Sequence, residues 1–291
     1  MQKETVLILG LGEVGSSLYE LFKGKKEFEV YGLDLNKERT REVTNNAKPP
    51  SKISVMHVCY RFVDPDKFIK TTIAYLKIFK PRLTIIESTV APGTTQKIAK
   101  LSKTAMVNSP IRGMHESKES MKRDMLFWTK YVGGTTKETA LAAQRHFEKL
   151  GLKVKVLKSP AETELAKLFE TTYRAWMIAC FQEMHRISRH YGADFDQVLD
   201  MMEDIHRHRF NKPLHYPDVI GGHCLIPNTE LLEKAYDSEF LRLILKSNKE
   251  REKEIKDKNV RAEIDKIKTR VKRLEKDLVK LADEKHASCK S

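Results

Sequence analysis

Gly10, Gly12 and Gly15 are spaced as G-x-G-x-x-G, and Asp34 follows 24 residues after the first of them. This combination suits the binding of a dinucleotide. The first glycine permits a tight turn, the second lets a pyrophosphate approach the backbone, and the third lets a helix pack closely on a strand. Glu13 and Val14 lie between the second and third glycines and open a helix whose free N–H groups and partial positive charge would face the phosphates. A carboxylate at Asp34 can accept both hydroxyls of a ribose and would repel a 2′-phosphate, so the expected cofactor is NAD rather than NADP.

These residues need a strand, a turn and a helix to hold them. Thr5 to Leu9 is an apolar run suited to one buried strand, and Leu18, Leu21 and Phe22 mark one face of the helix after it. A second strand, Glu29 to Leu33, delivers Asp34. Further strands are expected at Ile53–Val58, Leu83–Ile86, Ala105–Val107, Tyr131–Val132 and Val154–Leu157, with helices at Phe68–Phe79 and Lys137–Leu150 stopped by Pro81 and Gly151. This alternation predicts an α/β fold, a Rossmann-like, doubly wound and mostly parallel sheet over residues 1–157. Ligands of such sheets bind outside the carboxyl ends of the strands, which places Gly10–Gly15, Asp34, Cys59–Arg61 and Ser88–Thr89 around one crevice.

From Ser159 the pattern becomes helical. Ser159-Pro160-Ala161-Glu162 reads as a capped start, and a long helix is expected to run to about Tyr191. Its apolar stripe, which includes Leu165, Phe169, Tyr173, Trp176 and Phe181, is wide enough to predict burial on more than one side. A helix from Phe195 to about Ile205 follows, then a His-, Arg- and Pro-rich stretch, 206–217, that reads as loop. Gly221-Gly222-His223-Cys224 precedes another helix, and the helical domain is expected to span 158–245. In the tail, 246–291, Val260, Ile264, Ile267, Val271, Leu274, Leu278 and Leu281 alternate spacings of four and three. This is a heptad seam whose β-branched and leucine positions favour a two-stranded coiled coil, with Glu263–Lys268 and Arg270–Glu275 as charge pairs across a parallel dimer. The same seam also fits a helix folded back on its own domain. A homodimer is expected.

Net charge is +14 and the pI about 9.4, which favours acidic partners such as nucleotides. There is no aromatic–basic RNA motif and no zinc-finger spacing, so neither nucleic-acid binding nor a metal site is expected. Cys59, Cys180, Cys224 and Cys289 form no CxxC, which fits the reducing cytoplasm, and no apolar run is long enough to cross a bilayer.

The ordered motifs resemble the UDP-glucose/GDP-mannose dehydrogenase family, the nucleotide-sugar dehydrogenases. Besides the glycine loop and Asp34, Glu87–Thr95 is similar to the family's E-S-T-V-x-P-G-T-T loop, and Ser109-Pro110-Ile111-Arg112 to a changed S-P-E-R. Glu164–Ala175 is similar to E-L-x-K-L-x-E-N-T-Y-R-A, and Gly221–Cys224 to the catalytic G-G-H-C. The resemblance implies that an alcohol is oxidised twice by NAD, with Cys224 attacking the intermediate aldehyde, Lys167 stabilising the oxyanion, and Thr89 beside the nicotinamide holding a water. It places Thr171, Gly222, His223 and Asn228 against the substrate, a nucleotide sugar or other small anion. Arg112, Arg174 and 206–209 are further candidates for binding an anion.

Three positions depart from the family. Ile111 stands for a glutamate, Thr171 for an asparagine and Asn228 for an aspartate. The family's third domain is not expected here, and the heptad tail is expected in its place. The expected function is therefore an NAD-dependent dehydrogenase, acting through a Cys224 thiohemiacetal or as a two-electron, hydroxy-acid-type enzyme that uses Lys167. The reading from a different class is a non-catalytic NAD-binding scaffold or regulator.

Overall fold

The computed structural model describes residues 3–45, 47–113, 117–209, 215–235 and 237–288. Two compact units, Met1–Leu168 and Phe169–Ser291, divide the chain.

The first unit is built on seven strands: β1 (Glu4–Leu9), β2 (Phe28–Leu33), β3 (Val55–Val58), β4 (Leu83–Ile86), β5 (Val107–Asn108), β6 (Lys130–Gly134) and β7 (Val154–Leu157). Their order across the sheet is β2-β1-β3-β4-β5-β6-β7, and every pairing is parallel except β5 with β6. The short apolar strands β3 and β4 are buried along their whole length, as expected of a parallel sheet covered on both faces. The helices between strands are α1 (Glu13–Lys23), α2 (Lys37–Thr44), α3 (Pro65–Phe79), α4 (Thr94–Ser102), α5 (Lys118–Phe127) and α6 (Lys137–Leu150). The apolar pattern did not predict α2, α4 or α5. In α2 the only aliphatic side chain is Val43, and local capping defines its start: the Asn36 side chain accepts from the N–H groups of Glu38 and Arg39. A reciprocal Ser117–Ser120 capping box starts α5. One core runs from Val6 and Ile8 through Phe22 and Ile85 to Val132 and Phe147.

Helix α7 (Pro160–His190) begins in the first unit and continues into the second, where α8 (Phe195–Arg209), α9 (Leu225–Ala235), α10 (Glu239–Glu254) and α11 (Lys258–Ser288) follow. Residues 206–209, expected as loop, are the last turn of α8; 210–214 lie outside the described residues. Two expectations are corrected. First, part of the apolar stripe of α7 is not buried: Phe169, Tyr173, Trp176 and Cys180 are exposed among the described residues. Second, the heptad seam of α11 is filled by its own unit. Val260, Ile264, Ile267, Val271 and Leu274 are all buried, the last three in a cluster with Phe181, Phe195 and Leu199 of α7 and α8. The seam's expected interchain charges are also engaged within the chain. Glu263 accepts from His185 at 2.8 Å, and Arg270 binds Asp196, Asp200 and Glu203 at 3.0, 2.6 and 2.5 Å. A stripe at alternating four and three spacing fits any complementary groove, and here α7 and α8 supply it. The side chains of Glu275, Leu278 and Leu281 lie outside the described residues. No helix among the described residues is long and apolar enough to cross a membrane.

Candidate active site

The carboxyl ends of β1, β2, β3 and β4 are tied together by backbone bonds. Gly10 N donates to Leu33 O at 2.8 Å, Cys59 N to Leu9 O at 2.7 Å, and Glu87 N to Val58 O at 2.9 Å. Gly10 has φ +88°, and a Cβ there would meet Tyr60 N at 2.7 Å. A Cβ on Gly15 would lie 1.8 Å from Gly10 O, so helix α1 can approach the turn only without a side chain at this position. A Cβ on Gly12, by contrast, would have nothing within 4 Å. Two of the three glycines are thus demanded by the fold itself. The third keeps open the space in front of the N-terminus of α1, whose first residues are Glu13 and Val14.

Asp34 sits directly after β2. Its Oδ2 accepts from Leu11 N at 2.7 Å and its Oδ1 from Asn36 N at 2.8 Å, so the carboxylate is fixed to the glycine loop before any ligand arrives. The exposed side chains of Leu35 and Val63 follow the ends of β2 and β3 and offer apolar surface for a flat base. An open backbone cradle at a helix start, a fixed acid at the ribose distance in sequence and apolar flanks fit a dinucleotide such as NAD.

The loop after β4 carries Thr89, which is half-buried. Ser88 Oγ donates to Tyr60 O at 2.6 Å and fixes the loop on one side. Glu164, in the first turns of α7, fixes it further along: its carboxylate accepts from Gly93 N at 2.6 Å, Thr95 N at 2.9 Å and the Thr95 hydroxyl at 2.6 Å. Glu164 thereby caps α4, whose own N-cap, Gly93, has no side chain to do so. Burial raises the Glu164 carboxyl above its ordinary range against these three bonds. Lys167, one turn later and half-buried, is carried by the same clasp.

Beneath this loop lies a ladder of titratable side chains that sequence reasoning missed. Glu87 Oε2 accepts from Lys130 Nζ at 2.5 Å, and Lys130 also donates to Ser109 O at 2.6 Å. Glu87 Oε1 is 2.8 Å from His57 Nδ1, His57 Nε2 is 2.9 Å from His146 Nε2, and His146 Nδ1 is 2.6 Å from Glu4 Oε1. Lys149 completes the row on Glu4 Oε2 at 2.8 Å. Each Nδ1 faces a carboxylate and therefore carries hydrogen, so the two Nε2 atoms can bond only through one further proton between them. Burial pushes His146 down to about 4. Burial would raise the Glu87 carboxyl, but the Lys130 charge and then the His57 hydrogen bond outweigh it and hold it below its ordinary value. Burial lowers Lys130, with Glu87 opposing and the nearby Lys167 charge adding to the fall. Desolvation and then the Glu87 charge push the Cys59 thiol well up, which marks it as a poor nucleophile. Phe22, Phe28 and Phe147 surround the imidazoles.

One predicted residue of the first unit has another task. The Arg112 guanidinium lies over the rings of both Trp128 and Tyr131 and donates to Thr129 O at 2.9 Å, so it is held by its own domain rather than presented to an anion. Ile111, at the family's glutamate position, is part of the apolar core.

In the second unit Cys224 is half-buried and stands immediately before α9, its carbonyl accepting the first helical bond from Asn228 N at 2.9 Å. Cys224 therefore stands at a helix N-terminus, the end that carries the partial positive charge. Gly222, with φ +82°, makes the turn into it, and His223 is exposed. Thr171 and Asn228 are brought together: Asn228 Nδ2 donates to Thr171 Oγ1 at 2.9 Å, and both are buried. Two of the departures from the family motifs thus form one neutral pair. Arg174 is paired with Glu170 on the surface of α7. Among the described residues no group of three or more His, Cys, Asp or Glu side chains is placed to hold a metal ion.

Residues 161–250 match the central domain of the UDP-glucose/GDP-mannose dehydrogenase family. The UDP-N-acetyl-D-mannosamine dehydrogenase of Methanocaldococcus jannaschii is 26% identical over 280 residues, a match covering 81% of this chain and 63% of that protein. The chain thus spans a little under two thirds of that relative's length. Among solved structures, UDP-D-ManNAc dehydrogenase from Pyrococcus horikoshii superposes with a TM-score of 0.71 at 21% identity, over 84% of this chain and 68% of that one. The fold is also similar to 3-hydroxyisobutyrate dehydrogenase from Mycobacterium tuberculosis, with a TM-score of 0.61 at 15% identity over 88% and 95% of the two chains.

Proposed function

We propose that this chain, which carries the central domain of the UDP-glucose/GDP-mannose dehydrogenase family over residues 161–250, is an NAD-dependent dehydrogenase oxidising an alcohol of a sugar nucleotide or another small anionic substrate. The observation that carries the reading is the glycine loop, where Gly10 and Gly15 are required by contacts within the protein while Gly12 faces open space beside the fixed Asp34 carboxylate. NAD, when bound, accepts the hydride. The protein's own residues do the rest. Lys167 donates to the substrate oxygen as charge develops there. The Cys224 thiolate adds to an aldehyde, forming the C–S bond while the carbonyl electron pair moves to oxygen. Thr89 orients a water. Thr171 and Asn228 act as a neutral pair that can position substrate or water but cannot take a proton as a carboxylate would.

That neutral pair, with Ile111 in the core, favours a second reading within the same class. In it, oxidation stops after one hydride, with Lys167 rather than Cys224 indispensable. The exposed Phe169, Tyr173 and Trp176 on α7 support a homodimer in which a second copy covers this face.

The experiment is NADH formation from NAD with UDP-sugars, GDP-sugars and simple hydroxy acids, run beside Cys224→Ala and Lys167→Ala. Two NADH per substrate, lost in Cys224→Ala, supports the four-electron reaction. One NADH, indifferent to Cys224 but lost in Lys167→Ala, supports the two-electron reading. NAD binding with no turnover on any substrate refutes both and leaves a binding protein.

A further inference from the structure

Helix α11 lies beyond the stretch that matches the family, yet its side chains reach the segment leading to Cys224. Six residues before the thiol, Asp218 is almost wholly buried. Its Oδ2 accepts from Lys268 Nζ at 2.9 Å and its Oδ1 from Arg261 Nη1 at 3.3 Å, both on α11. The Asp218 carbonyl accepts from Gln182 Nε2 at 2.5 Å, and its Oδ1 also accepts from Val219 N at 2.8 Å. The Lys268 ammonium lies 5.3 Å from the centre of the Tyr216 ring, and Ile220 N donates to Asn248 Oδ1 at 2.6 Å. Beyond Ile220 the chain turns through Gly221 and Gly222, the latter at φ +82°, and enters α9 at Cys224. The segment 216–220 is thus the last fixed point before a turn with two glycines, and two α11 cations, with Gln182 and Asn248, hold it.

We propose that α11 is a clamp for the thiol loop, with Lys268 and Arg261 as positioning residues that act through Asp218 to hold Cys224 at the N-terminus of α9. The proposal rests on the reading of Cys224 as the nucleophile. Burial would raise the Asp218 carboxyl, but the Lys268 hydrogen bond and the charges of Lys268 and Arg261 keep it below its ordinary range, so the clamp is an ion pair at neutral pH. A buried carboxylate that loses one of two cations must seek water, and the lever available to it is the segment itself.

The test needs neither substrate nor cofactor. Alkylation of the full chain by iodoacetamide is followed by mass spectrometry across a pH series, with Cys224 resolved from the other cysteines. Wild type is compared with Lys268→Met, Lys268→Arg and Lys266→Met. Lys266 lies on the same helix but pairs with Asp196, so its variant matches the charge change away from the loop. The expected result is that the Cys224 profile moves toward that of a free thiol in Lys268→Met alone, with the rate at pH 7 falling about three- to tenfold. Lys268→Arg retains the wild-type profile. In the Asp218→Asn background Lys268→Met has no further effect, and this double variant, which leaves no unpaired buried charge, carries the test if Lys268→Met alone does not fold. A low-pH profile shared by wild type and Lys268→Met, or an equal shift in Lys266→Met, overturns the clamp and leaves the nucleophile reading intact. A wild-type profile already like that of a free cysteine overturns both.

Discussion

Replacing Lys130 by methionine should be among the most damaging single changes in the first unit. The Lys130 side chain is 8% exposed and that of Glu87 is fully buried, so neither charge has water to fall back on. Methionine matches the lysine stem and keeps its packing against Phe147, so little of the loss comes from a cavity. What remains is a buried carboxylate that keeps the His57 hydrogen bond but has lost its ammonium, and a Ser109 carbonyl without its lysine donor. Removing one partner of a buried ion pair costs about 3–5 kcal/mol. An unsatisfied buried carbonyl adds about 1–3 kcal/mol, partly offset because an uncharged side chain has less hydration to lose. A net loss of about 3–5 kcal/mol is therefore expected from urea denaturation of the full chain, read on a probe in the first unit. Adding Glu87→Gln removes the stranded charge and leaves an amide able to face His57. The double variant should recover about 2 kcal/mol or more relative to Lys130→Met alone. A loss below about 1 kcal/mol for the single variant, or simple additivity in the double, would refute the claim that the pair is charged and dry.

Acid should weaken the first unit in two stages. His146, held down to about 4 against 6.5 in the unfolded chain, contributes fully above pH 6.5 and loses that contribution as pH falls toward 4, about 2–3 kcal/mol in all. Glu4, at about 2 because the His146 and Lys149 bonds outweigh its desolvation, contributes above pH 4.5 and loses a smaller, solvent-screened amount toward pH 2. Stability measured from pH 7.5 to 3 that stays flat between 6.5 and 4 contradicts the His146 assignment. Gly12→Ala should leave the melting temperature within about 2 °C yet weaken NAD binding at least tenfold, whereas Gly15→Ala should destabilise the fold by about 3 kcal/mol or more because its Cβ meets Gly10 O. Calorimetry separates the two, and unchanged NAD affinity in Gly12→Ala removes the cradle's role. Ile111→Glu, which restores the family's carboxylate, should lower stability by about 3 kcal/mol or more rather than raise turnover, since the side chain points into the core; a folded, more active variant refutes that placement.

The parts legible in the sequence were those written in neighbouring residues. The glycine spacing fixed a turn, Asp34 followed from where the second strand ends, and Gly222–Cys224 announced a bend into a helix. The ladder Glu4–His146–His57–Glu87–Lys130 was not legible, because its members come from β1, α6, β3, the loop after β4 and β6. Each looks ordinary in its own stretch, and only the order of strands in the sheet brings them into line. Arg112 was misjudged for a similar reason: Trp128 and Tyr131 are sequence-distant, and they decide what its charge faces. The tail shows a third case. Its seam was read correctly as apolar and regular, but a periodic stripe states only that a groove exists, not which chain provides it.

The proton between the two Nε2 atoms of His57 and His146 has a further use. It is enclosed by Phe22, Phe28 and Phe147 and bonded on both sides by nitrogen, so it should exchange with solvent slowly enough to give its own far-downfield NMR signal. Because the row ends on Glu87, two residues before Thr89, that single resonance would register any change in charge arriving at the loop. The protein carries, in effect, an internal voltmeter whose needle can be watched without a label, a dye or a turnover assay.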